Sequence, residues 1–126
     1  MGVRDMVRVL LVGDSPRSFS LSRQLLERSG CDCHFAGTLE AAKDQLELQE
    51  FDIVLSTHRA PGDAIQSLVG LLSGSSASLF SALRVGESFW WVPVLQFGKG
   101  CYGPAIRVGD FAHVLDDLKK QIRVQG

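Results

Sequence analysis

Apolar and polar positions fall in blocks along this chain, and the period of the pattern changes from block to block. Residues 6–12 (Met-Val-Arg-Val-Leu-Leu-Val) form a branched run of strand length, as in a strand covered on both faces. Gly13 and Asp14 end the run, Ser15 supplies an N-cap, and Pro16 suits a first helical position. Phe19, Leu21, Leu25 and Leu26 then form an apolar stripe that Gly30 stops. Residues 31–36 predict a short second strand. Thr38 caps a helix bearing Leu39, Ala42, Leu46 and Leu48. Residues 51–56 predict a third strand, and Asp63 caps a helix with Ile65, Leu68, Val69 and Leu72 inward. Strand alternating with helix predicts parallel strands joined by right-handed crossovers. In such sheets a site lies at the C-terminal strand ends, here around Gly13, Asp14 and Thr57.

The second half follows a different pattern. Residues 70–76 are small and polar and predict a loop. Ser78–Val85 and residues 89–97 predict two strands across the turn Gly86-Glu87-Ser88, a β-hairpin. Residues 98–104 predict a loop and 105–108 a short strand. Asp110 then caps a final amphipathic helix with Phe111, Val114, Leu115, Leu118 and Ile122 inward. Alternation places Phe89 and Trp91 on one face of their strand and Trp90 on the other. One face belongs to the core, and the other meets a partner or is covered as core too, which makes Phe89, Trp90 and Trp91 a candidate interaction surface.

Composition narrows the function classes. Hydrophobic residues are 45% and charged residues 21%, the balance of a folded globular chain. A single domain is expected across residues 1–126, because no repeat or linker divides the chain. A net charge of −1 gives no drive toward nucleic acid or an anionic membrane surface. No apolar run approaches the roughly 20 residues of a membrane span. Asp5 and Arg8 interrupt any signal-peptide layout, and Met6 breaks a myristoylation pattern at Gly2. Three cysteines fit a reduced, cytoplasmic chain better than a disulfide framework.

The stretch Phe51-Asp52-Ile53-Val54-Leu55-Ser56-Thr57-His58-Arg59-Ala60-Pro61-Gly62, following Val9-Leu10-Leu11-Val12-Gly13-Asp14-Ser15-Pro16, resembles the response-regulator receiver domain of bacterial two-component phosphorelays. The resemblance covers residues 6–72 and the last strand and helix. It implies a flavodoxin-like, doubly wound parallel sheet of order 2-1-3-4-5, with the hairpin in place of the usual fourth helix. In that family an aspartate four residues before the proline accepts a phosphoryl group, and here that position is Thr57. The family's acidic pair after the first strand, which holds Mg²⁺, falls on Gly13 and Asp14. Its Ser or Thr after the fourth strand falls at Ser81 or Ala82, or at Gly98 if the fourth strand is 92–97; the first alignment is preferred by its spacing from Pro61. The lysine after the fifth strand falls on Arg107, which keeps the charge but not the compact ammonium.

A threonine hydroxyl is a poor nucleophile without an adjacent base, and strand alternation turns His58 to the opposite face. One carboxylate, Asp14, is too few for useful Mg²⁺ affinity. The resemblance therefore implies a pseudo-receiver without catalytic residues or a cofactor, with a residual Mg²⁺ contact through Asp14 at most. Such a module works through a protein partner or a homodimer. The alternative is a flavodoxin-like enzyme that binds a small anion or accepts a phosphoryl group at the Gly13-Asp14/Thr57 strand ends. Other motifs are set aside. Cys31, Cys33 and His34 do not converge as a zinc set, because alternation separates the histidine from the two cysteines. Gly98-Lys99-Gly100 lacks the flanking residues of a P-loop. Ser56, His58 and Asp63 lack a nucleophile elbow. Cys101 sits between loop residues, with only Lys99 near it in sequence to activate it.

Overall fold

The computed structural model describes residues 6–57, 63–101 and 103–125, the last four as backbone. His58, the Pro61-Gly62 turn and the inward placement of Ile122 lie outside the described residues. The strands are β1 (Arg8–Val12), β2 (Asp32–Ala36), β3 (Ile53–Ser56), β4 (Ser78–Val85), β5 (Ser88–Gln96), β6 (Lys99–Gly100) and β7 (Ile106–Arg107). The helices are α1 (Ser20–Arg28), α2 (Leu39–Leu48), α3 (Asp63–Leu72) and α4 (Phe111–Gln125). A 3₁₀ turn, Pro16–Phe19, leads into α1.

The sheet runs β2-β1-β3-β4-β5-β6, with β7 also paired to β5. β1 to β4 are parallel, which follows from the helical crossovers between them. Of the two segments that could be the fourth strand, Ser78–Val85 is the one that pairs with β3. The fifth position departs from an all-parallel 2-1-3-4-5 sheet. β5 returns antiparallel to β4 through a two-residue turn at Gly86 and Glu87, tighter than the three-residue loop expected. β7 pairs antiparallel with β5 and so runs in the direction of β4, one strand further out.

Two apolar clusters cover the sheet. On one face Val9, Leu11, Ile53, Leu55, Phe80 and Trp91 meet Phe19 and Leu26 before and on α1, and Phe111, Leu115 and Leu118 on α4. On the other, Leu10, Val12, Val54, Leu79 and Leu95 meet Ala42 of α2 and Ile65, Leu68 and Leu72 of α3. A register shift between Leu79 and Phe80, a bulge near Val94, explains how Trp91 and Leu95 reach opposite faces. The side chain of Lys119 on α4 donates to the Ser29 carbonyl at the C-terminal end of α1.

Two stripe positions differ from expectation. Leu21 is 59% exposed and Leu48 83% exposed. The 3₁₀ turn shifts the phase of α1, so Ser22 faces inward in place of Leu21.

Candidate functional site

β1 and β3 end side by side, as required for a site between their C-terminal ends. The Thr57 amide donates to the Val12 carbonyl at 3.0 Å, and the Gly13 amide to the Ala36 carbonyl at 3.1 Å. These bonds extend the parallel pairing one residue past each strand and set Gly13 against Thr57. The approach is close: a Cβ at position 13 would lie 2.3 Å from Thr57 Oγ1 and 3.0 Å from Cε2 of Phe19. A side chain there would have to displace the Thr57 hydroxyl and press on the Phe19 ring.

Phe19 closes the floor of this strand end and is fixed from both sides. It stacks on Trp91 at 6.3 Å between centroids with planes 5° apart, and meets Phe35 edge-on at 6.1 Å. Trp91 in turn meets Phe89 edge-on at 5.0 Å. The four rings form a row across the sheet from β2 to β5. Trp91 is fully buried, and its indole N–H donates to Ser22 Oγ at 3.2 Å. Phe19 was read from the sequence only as a stripe position, and Ser22 was not singled out. The available signal was a serine on the inward side of a helix, three residues after Phe19 and four before Leu26.

The five positions named from the receiver pattern do not gather in one place. Gly13 and Thr57 touch. Asp14 is exposed beside them. Ser81 is buried within β4, level with Ser56, rather than in a loop beyond the strand. Arg107 lies on β7, the third strand out from β3, roughly 14 Å away at ordinary strand spacing. Its guanidinium carbon sits 5.1 Å from the Trp90 ring centroid, a cation–π contact on the face opposite Trp91. Of the three aromatics, Trp91 belongs to the core, Phe89 is half-buried against it, and Trp90 is half-buried on the second face.

Among the described residues, no three His, Cys, Asp or Glu side chains converge to hold a metal. Burial raises the thiols of Cys31 and Cys101, and burial with Cys31 beside it pushes Cys33 up to about 12. All three therefore stay protonated at neutral pH. His34 Nε2 and Asp32 Oδ2 lie 3.0 Å apart, and this hydrogen bond leads the effects that lower the Asp32 carboxyl. That pair belongs to β2, away from Thr57. An open cavity of about 540 Å³, lined by Gly74, Ser75, Gln96, Lys99 and Cys101, lies near the start of β4, at the opposite end of the sheet from Thr57. No helix among the described residues is long and apolar enough to cross a membrane.

No family model matches the chain, and neither a curated protein nor a solved structure is significantly similar to it.

Proposed function

We propose that this chain is a flavodoxin-like, receiver-type signalling module that takes no phosphoryl group at the usual position and acts through protein contacts. The crowding of Gly13 by Thr57 and Phe19 carries this reading. Thr57 Oγ1 stands where a side chain at position 13 would begin, and the Phe19 ring lies behind it. The parallel β2-β1-β3-β4 order supports it, because that order sets the ends of β1 and β3 together.

The chemistry agrees. Phosphoryl transfer to a protein side chain needs an activated nucleophile and a cation to offset charge on the transferring group. Thr57 offers a neutral hydroxyl, Asp14 a single carboxylate, and Arg107 is held at Trp90. A second carboxylate at position 13 has no room, because the Thr57 hydroxyl and the Phe19 ring crowd the place where its side chain would begin. Output then falls to surfaces, and the β4–β5 hairpin is the part of the fold that departs most from a parallel α/β sheet.

Mg²⁺ with beryllium fluoride, a phosphoryl mimic, tests this by NMR. The amide signals of Gly13, Asp14 and Thr57 are expected to stay in place through the titration. Saturable shifts at those three residues would mean that the strand end still receives a phosphoryl-like group.

A further inference from the structure

The second face of the β4–β5 hairpin is an apolar strip with one charge at each end. Cross-strand pairing puts Leu83 opposite Trp90 and Trp90 opposite Arg107, so these three share a face. Val85 and Val92 lie on the same face by alternation. α2 and α3 cover this side of the sheet over β1, β3 and the first part of β4. Among the described residues, the chain passes from β4 to β7 without a helix. The outer half of the hairpin consequently keeps Val85 61% and Leu83 37% exposed. Arg107 lies over Trp90 in this strip, and exposed Glu87 sits in the turn beyond Val85.

We infer that this face pairs with the same face of a second copy of the chain about a two-fold axis. This rests on the reading of the hairpin as a contact surface, and it names the partner. A two-fold contact must be self-complementary, and the charge layout meets that condition. An antiparallel approach centred near Val85 brings Arg107 of each copy toward Glu87 of the other, with Leu83, Val85 and Trp90 between them. The apolar strip supplies the association energy, and the two reciprocal ion pairs fix the orientation. Leu83 and Val85 are the exposed large apolar residues of this strip, which makes this a weak dimer with a dissociation constant on the order of micromolar or above.

Sedimentation velocity from micromolar to millimolar protein tests the pairing. The unmodified chain is expected to pass from monomer to dimer across that range. Glu87→Arg and Arg107→Glu are each expected to weaken the dimer by about tenfold or more, because each sets like charges together. The double variant is expected to recover most of that loss. Val85→Asp, at a position already exposed, is expected to abolish the dimer with an unchanged circular dichroism spectrum. A chain that stays monomeric at millimolar concentration overturns the inference. So does a dimer indifferent to these variants, which assigns self-association to another surface. Neither result bears on phosphoryl acceptance, which is measured separately.

Discussion

Replacing Trp91 by alanine is expected to remove about 3–5 kcal/mol of stability, the usual cost of deleting a large buried aromatic side chain. The indole is fully buried, stacks on Phe19 and meets Phe89 edge-on. Its loss leaves a cavity between α1 and the sheet, and it strands the Ser22 hydroxyl, which accepts the indole N–H. A buried hydroxyl without its partner adds about 1–3 kcal/mol to such a cost. Against the roughly 5–15 kcal/mol of a typical domain, the variant is near the limit of folding. Urea unfolding followed by fluorescence of the remaining Trp90 and by circular dichroism measures the loss. Trp91→Phe separates the contributions, since it keeps a stacked ring and removes only the N–H and part of the volume. It is expected to fall well short of the alanine loss. If Trp91→Ala costs under about 1 kcal/mol, the aromatic row does not hold the hairpin to the sheet.

The second large effect is expected at Gly13. A methyl group there meets Thr57 Oγ1 at 2.3 Å and the Phe19 ring at 3.0 Å and 3.2 Å. Phe19 cannot retreat, because Phe35 and Trp91 hold it. The threonine must therefore turn away or the strand ends must part. Gly13→Ala is expected to cost about 1–3 kcal/mol, as overpacking does. Thr57→Ala in the same chain removes the oxygen at 2.3 Å and is expected to return at least about 0.5 kcal/mol beyond additivity. Strict additivity would mean that the two residues do not share one space. The coupling bears on function. An acidic residue at 13 and the threonine rotamer seen at 57 exclude each other, so introducing a carboxylate at 13 needs a change at 57 as well.

The parallel half of the fold was legible because its signals are local. Branched runs of strand length end at glycine or at small polar residues, and Ser15 caps the 3₁₀ turn before α1, whereas Asp63, expected as a cap, is the first residue of α3 itself. Thr38 behaves as its position implied, accepting the Ala41 amide at 3.0 Å. The β4–β5 hairpin was legible for the same reason, through two strand-forming runs around a glycine turn.

What the sequence hid depends on long-range contact or on a change of phase. Leu21 fitted the helical stripe until the 3₁₀ turn at Pro16–Phe19 rotated α1 and buried Ser22 in its place. The bulge near Val94 reverses alternation within one strand, and so Leu95 joins the cluster opposite Trp91. A further two-residue turn, Phe97 and Gly98 at φ of 51° and 78°, cuts the expected strand short at Gln96. Its signal was weak because an aromatic residue seldom takes the left-handed conformation. Gly98 has no alternative there, since a Cβ would lie 1.8 Å from the Ser75 carbonyl oxygen.

At the strand ends, the neighbouring positions of Gly13 and Thr57 were legible from the strand pattern, but their shared space was not. That needed the registers of β1 and β3 and the ring of Phe19, which lies in a turn after Gly13 and far from Thr57 in sequence. Arg107 illustrates the same limit. Its place in the sequence matched a pattern, while the antiparallel β5 set it one strand further out, at Trp90.

Intact-mass spectrometry after incubation with Mg²⁺ and acetyl phosphate, beside a receiver domain that accepts phosphate under the same conditions, tests the central claim most directly. This chain is expected to keep its mass while the control gains a phosphoryl group. A stable phosphoryl adduct that maps to Thr57 or Asp14 would contradict the claim, because the strand end would then be a working acceptor site.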